Sequence, residues 1–368
     1  MKSILHLRRL WLLLFFPVSL VLTLCASASP AFAEWYATRI YPVFSSVIHF
    51  LTSLLPFSLA ECLVIAVPAA ALICLLFFFI RLIRNQEGRA FRAAKFGITL
   101  FCLAGTVWFA FTVSCGINYS RIPFSEVCGL SVRDSSKEEL TALCTELAGD
   151  LSALRTELPE DSNGVMMLSG DTISDTVDDA QAAYAHLSAD YPTLPDCYGA
   201  PKPVFFSRAM SWANITGVFF PFTFEANVNV DIPDYSIPST MCHELTHLRG
   251  YMREDEANFI AFLACRGSKD AEFRYSGAML AFIHASNALF SADRALGSET
   301  YALLSDGVRR DLAANSQYWK QFEGPVAEVS EAVNDTYLKA NRQADGVKSY
   351  GRMVDLLLAD YRARHGTE

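Results

Sequence analysis

The pattern of hydrophobic and polar positions divides the chain in two. Up to about Asn118 the sequence is dominated by long apolar runs; beyond it, polar and apolar residues alternate at the periods of ordinary secondary structure. Ser58 to Ile80 and Phe96 to Ile117 each approach the ~20 residues a helix needs to cross the hydrocarbon core. An earlier run, Leu10 to Leu24, follows Lys2, Arg8 and Arg9 and precedes a small-residue stretch ending at Ala33. Those are the parts of a secretory signal, but the run is also nearly long enough to remain as a span, and we read it as uncleaved. The pattern thus predicts two or three transmembrane helices, at about 10–30, 58–80 and 96–117, within a membrane region 1–117.

The loop between the second and third runs carries Arg81, Arg84, Arg89, Arg92 and Lys95. Short basic loops stay cytoplasmic, and the basic N-terminus agrees. Residues 118–368 are therefore expected outside the cytoplasm, whether or not the first segment is removed. Tyr36 to Leu55, aromatic and poor in charge, is expected as an outside loop lying along the membrane interface.

In the outer part, Leu140, Leu143, Leu147, Leu151 and Leu154 recur at helical spacing within Ser135 to Leu158, and Asp175 to Leu187 reads as a second helix. Pro192 to Pro203 reads as a loop. From Ala226 to Ile232, Val228, Val230 and Ile232 alternate with Asn227, Asn229 and Asp231, a strand with one buried and one polar face. Pro238 suits a first helical turn, opening Ser239 to Arg249; Glu254 to Cys265 is the next helix, and most of Ala271 onward also reads helical. The expected fold is mainly α with a small β-sheet (α+β).

Composition adds exclusions. At 52% hydrophobic residues and a net charge of −9, the chain offers no basic stripe for nucleic acid. Of ten cysteines, Cys25, Cys62, Cys74 and Cys102 lie in apolar runs, and the rest show no CxxC spacing. That does not read as a disulfide framework.

The candidate chemistry is His243-Glu244-Leu245-Thr246-His247. Histidines four apart on a helix project from one face and can take adjacent corners of a zinc tetrahedron. Glu244 stands beside the ion without binding it, placed to take a proton from a water the metal has acidified. The bland alternative is two surface histidines on a helix. A third ligand is needed. Gly250 lets the chain reverse, and Arg253-Glu254-Asp255-Glu256-Ala257-Asn258 opens the next helix; there a carboxylate cluster can also simply answer the helix dipole. Glu254 shares a face with the small Ala261 and Cys265, Glu256 with Ile260 and Leu263. We therefore take Glu254 as ligand and Glu256 as the alternative, with Asn258 one turn on as a hydrogen-bond support. The strand before this helix offers an edge that a peptide substrate can extend.

His243 to His247 followed by Glu-x-x-Ala-Asn resembles the glutamate-type zincins, in which a later glutamate completes the site and an Asp or Asn four residues on supports it. More closely, the chain is similar to a bacterial family of uncharacterised membrane proteins described as zinc metallopeptidases of unknown function. The stretches that carry this likeness are Gly116-Ile-Asn-Tyr-Ser-Arg-Ile-Pro, Pro221-Phe-Thr-Phe-Glu-Ala-Asn-Val-Asn, His243 to Cys265, Asn334-Asp-Thr-Tyr-Leu-Lys-Ala-Asn and Gly346-Val-Lys-Ser-Tyr-Gly-Arg-Met-Val-Asp. The resemblance implies a zincin-like outer domain and zinc as cofactor, but no substrate. Only six residues separate His247 from Glu254, fewer than in many zincins; Arg253 stands where a metzincin places a third histidine.

Other residues make weaker claims. Tyr350 and Arg352, with Tyr275 and Tyr337, are candidates to stabilise an oxyanion, against the simpler reading that the tyrosines pack the domain and Arg352 is solvated. Phe219 to Phe224 lines a groove, a core or the membrane surface. His284 reads as a core or surface histidine, and Glu225 and Asp231 carry no assignment. The expected function is zinc-dependent hydrolysis of extracytoplasmic peptides or proteins by an enzyme of the bacterial cell membrane, its partners being that substrate and the lipid bilayer. One alternative is a non-catalytic zinc-stabilised sensor or structural domain. Another, cleavage within the bilayer, is disfavoured by the charges flanking the motif, which are costly in lipid.

Overall fold

The computed structural model describes residues 8–170, 172–341, 343 and 352–366. Three helical segments are long and apolar enough to cross a membrane: Arg9–Ala28, Leu59–Arg84 and Arg89–Ser114. The first is a 3-10 stretch, Arg8–Leu14, running into α1 (Phe15–Ala28); the others are α4 (Leu59–Arg84) and α5 (Arg89–Ser114). α1 and α5 pack side by side, Phe15 stacking on Phe109 and Phe16 on Phe101 at 4.5 Å. Gly105 permits this approach, since a Cβ there would lie 2.8 Å from the Phe16 ring. α4 meets α5 where Phe78 stacks on Phe96, and no part of its apolar window is buried.

The segment expected as an outside loop is instead two helices, α2 (Pro30–Arg39) and α3 (Tyr41–Ser53). Ser29 caps α2 by accepting from the Phe32 amide, with Pro30 in the first turn. One side of them faces protein, where Tyr36 and Tyr41 are buried and the Tyr41 hydroxyl donates to the Leu248 carbonyl at 3.1 Å, while Trp35, Val43, Val47 and Phe50 stay exposed. Packing against the rest of the chain orders a segment that reads as interfacial by composition.

Beyond α5 follow a 3-10 turn, Gly116–Ser120, then α6 (Phe124–Val127), α7 (Lys137–Leu154), α8 (Ile173–Asp190) and the short α9 (Ser207–Trp212). α7 opens with a capping box: Ser136 accepts from the Glu139 amide, and Glu139 accepts from the Ser136 amide. Its leucines at 140, 143, 147 and 151 are buried, as their spacing predicts. The C-terminal part is α10 (Ile237–Leu248), α11 (Glu254–Arg266), α12 (Ala271–Ala292), α13 (Arg294–Ala302), α14 (Asp306–Lys320), α15 (Pro325–Ala340) and α16 (Met353–His365). α10, α11 and α12 form the centre of the core with Leu245, Leu248, Phe259, Ile260 and Phe282.

The small sheet comprises β1 (Lys202–Pro203), β2 (Gly217–Phe220) and β3 (Glu225–Val228) in the order β1-β3-β2, β1 parallel and β2 antiparallel to β3. Here the alternation misleads. Regular pairing ends at Val228 and all four β3 residues are buried, because the asparagines find partners inside. Asn227 accepts from Ser58 at 2.6 Å, and Asn229 donates to Ser211 and to the Ile215 carbonyl at 2.9 Å. β3 is the central strand, so the edge next to α10 belongs to β2. The mainly helical expectation with a small sheet agrees with this architecture.

Candidate metal centre

α10 begins with Pro238 in its first turn, and its 3.6-residue period turns His243 and His247 the same way. The rings meet edge to face, their Nε2 atoms 3.0 Å apart. Gly250, with φ +87°, closes the helix in the left-handed region and reverses the chain. α11 then begins at Glu254 and brings its carboxylate back to the rings: Oε2 lies 3.2 Å from His243 Nε2, and Oε1 lies 3.7 Å from His247 Nε2. The three donor atoms all fall within 4.8 Å of one another.

The far nitrogen of each ring is also engaged. His243 Nδ1–H donates to Asn258 Oδ1 and His247 Nδ1–H to the Tyr251 carbonyl, both at 2.8 Å. These bonds select the tautomer that leaves Nε2 as a free donor atom for a cation. The turn carrying Tyr251 is braced in its turn: Arg121 lies 3.9 Å over the Tyr251 ring, donates to the Gly250 carbonyl, and pairs bidentately with Glu34.

Electrostatics fit a cation at the centre. Burial alone would raise the Glu254 carboxyl, but the charge of His247 and contact with both rings outweigh it and hold Glu254 well below the usual carboxylate range. Burial opposes charge on His247, yet Glu254 prevails and pushes that ring up to about 9. A proton thus stands in for positive charge among three donors. Two donors bound to one zinc at ~2.0 Å in tetrahedral array lie ~3.3 Å apart, close to the 3.0 Å between the two Nε2 atoms and the 3.2 Å from His243 Nε2 to Glu254 Oε2, while the 3.7 Å contact to His247 runs to the other carboxylate oxygen. The donor set fits zinc.

Glu244 lies beside this cluster, 4% exposed. Burial pushes its carboxyl above the ordinary value, and its Oε2 is buried without a hydrogen-bond partner. The Phe219 amide, on β2, donates to the same carboxylate. β2 passes so closely that a Cβ on Gly217 would lie 2.5 Å from Glu244 Oε1. The Phe219 ring rests 6.5 Å from that of His247.

The remaining sequence candidates are placed elsewhere. Glu256, the alternative ligand, accepts from the Phe124 amide at 2.6 Å and pairs with Arg253; its carboxylate is committed away from the rings. Tyr275 donates to Asp311 in a buried cluster with Arg155. Arg352 is half exposed near Asp255, and Tyr350 lies outside the described residues. Tyr337 shares a hydrogen bond with Tyr119 at 3.0 Å. Burial, then the charge of His243, lowers His284 to about 4. Glu225 is a structural anchor, accepting from Lys202 and from the Leu59 and Ala60 amides, and Asp231 accepts from Tyr318. Gly217, the Phe219 amide and the Tyr251 carbonyl were not singled out by sequence; backbone groups carry no residue signature, and Gly217 precedes the aromatic run without a motif of its own.

No curated protein and no solved structure matches the chain. A family described as "Protein of unknown function (DUF3810)" matches over residues 36–358, spanning both the membrane-length helices α4 and α5 and the His–His–Glu cluster. By that match the chain belongs to the DUF3810 family.

Proposed function

We propose that the protein is a membrane-anchored zinc metallopeptidase acting on peptides or proteins outside the cytoplasm of a bacterial cell. The observation that carries this reading is the convergence of His243, His247 and Glu254 beside a buried Glu244 whose Oε2 has no partner. A purely structural site has no use for that second carboxylate with its unpartnered oxygen.

His243, His247 and Glu254 would hold the metal, with Asn258 and the Tyr251 carbonyl fixing the rings. When bound, zinc supplies Lewis acidity, lowering the pKa of water and polarising a carbonyl. Glu244 takes the proton of the attacking water and returns it to the departing amine. β2 aligns the substrate. The Asn229 amide donates to the Thr216 carbonyl, so by antiparallel alternation the amides and carbonyls of Gly217 and Phe219 point away from β3; the Phe219 amide meets Glu244, and the others face an edge that an extended peptide can join.

The orientation rests on charge. Arg9 Nη2 donates to the Lys95 carbonyl at 3.1 Å, gathering the basic N-terminus with Arg81 and Arg84 at the end of α4 and Arg89, Arg92 and Lys95 at the start of α5, at the end of the helices that stays cytoplasmic. The domain sits at the other end.

The test is the Glu244→Gln protein. It should bind zinc as the parent does and lose cleavage, read as new N-termini in a proteome-wide comparison with zinc content measured on both proteins. Cleavage at the parental rate removes Glu244 from the reaction.

A further inference from the structure

The His–His–Glu cluster lies almost on the end of a membrane-length helix. Cys115, which caps α5, has its Sγ 3.6 Å from the sulfur of Met252, and Met252 is two residues from Glu254. At no more than ~3.8 Å per residue, the cluster lies within about 15 Å of the end of α5.

Several exposed apolar side chains of the outer domain are tied to the outer ends of α4 and α5. Phe205 and Phe206, 86% and 52% exposed, donate their amides to Glu61 in the first turn of α4. Val326, Val329 and Val333 form an exposed stripe on α15, and Tyr337, further along that helix, packs edge-on against Phe111 of α5. Phe222, at the turn between β2 and β3, closes an apolar groove of 560 Å³ walled by Leu100, Leu103, Val107, Trp108 and Phe111 of α5. Groups that would be costly in water thus gather around the outer ends of α4 and α5, where bilayer covers them.

β2 joins these two features. It starts at Gly217 beside Glu244 and ends at Phe220, next to the turn that carries Phe222 to the groove. Phe222, on the rim of the groove, thus lies two residues beyond the strand that starts beside Glu244.

We propose that the substrate is itself membrane-anchored. Its spanning helix seats in the groove between α5 and Phe222, its juxtamembrane stretch pairs with β2, and the bond cut lies within about five residues of the span, the reach of ~15 Å at ~3.3 Å per extended residue. This rests on the peptidase reading above and names its substrate class. The occupant is a helix rather than a free acyl chain because Phe222, at the rim of the groove, lies two residues beyond β2, whose edge recognises a polypeptide backbone and not a lipid.

The full-length protein in phospholipid vesicles is given single-span reporter polypeptides with randomised outer stalks, and the same stalks freed from their spans. Anchored stalks should be cut at least about tenfold faster, with cuts clustered within the first few residues. Equal cleavage of free stalks, or cuts spread evenly along anchored ones, overturns the proposal. A readout independent of turnover uses Glu244→Gln protein with a photo-reactive residue at the position of Leu103. Crosslinks to the reporter span support the groove as its seat; crosslinks to lipid alone, or none, remove it. If the span crosslinks but the parent cuts neither form, docking stands and the peptidase reading falls.

Discussion

The guanidinium of Arg121 lies 3.9 Å above the ring of Tyr251, and the carbonyl of that same Tyr251 accepts from His247. A residue just past α5 therefore braces a turn whose backbone orients a candidate ligand. Arg121 is 3% exposed and pairs with Glu34. Arg121→Ala should lower unfolding stability by about 3–5 kcal/mol, since it strands a largely buried carboxylate. Arg121→Lys should restore only part, because an ammonium cannot make the bidentate pair. Denaturant unfolding in detergent measures both; an alanine variant as stable as the parent means the brace contributes nothing.

Asn258 is the more direct support for a ligand, holding His243 Nδ1 at 2.8 Å. Asn258→Ala should weaken zinc binding by about 10- to 100-fold, while Asn258→Asp, which keeps the acceptor, should stay close to the parent. Competition with a chelator of known affinity reads the difference. Identical affinities for all three proteins would show that the ring is fixed by packing alone.

Gly217 is a matter of space. A methyl group there meets Glu244 Oε1 at 2.5 Å and its Cγ at 2.7 Å, so Gly217→Ala must displace the carboxylate or the strand. Because Glu244 is no ligand, zinc content should be unchanged while cleavage falls on the order of tenfold to a hundredfold. Unimpaired cleavage would falsify the assignment of Glu244 as the base at this position.

Glu225 should make stability pH-dependent. Burial by itself would raise its carboxyl, but Lys202 and the Leu59 and Ala60 amides together hold it below the ordinary value. A depressed carboxyl stabilises the fold fully above its unfolded value of 4.5 and loses that contribution as pH falls through the lower folded value. The parent should therefore lose stability more steeply than Glu225→Gln on acidification below about pH 5, tracked by thermal unfolding. Parallel curves would mean that the buried contacts do not distinguish the charged from the neutral form.

The residue pattern alone determined a good deal. A long apolar run needs only its own length and hydropathy to be recognised, and spans at about 58–80 and 96–117 follow from that; the structure carries the helices on to Arg84 and back to Arg89, so the basic stretch expected as a loop is mostly helical. The common facing of His243 and His247 is equally local, a consequence of helical period. Tertiary structure decided what depends on distant partners. Glu254 and Glu256 sit in the same first turn, and only the direction of approach after Gly250 sends the first to the rings and the second to Arg253 and the Phe124 amide. The alternation at Asn227 and Asn229 cannot announce that Ser58 and Ser211 would satisfy those asparagines inside, which makes β3 central and leaves β2 as the edge. Composition could not tell that Tyr36 and Tyr41 of α2 and α3 would be buried against protein, or that Cys115 at the end of a membrane-length helix touches the turn behind the cluster. Spacing along a chain reports local geometry; which surfaces meet is set by the packing of elements far apart in sequence.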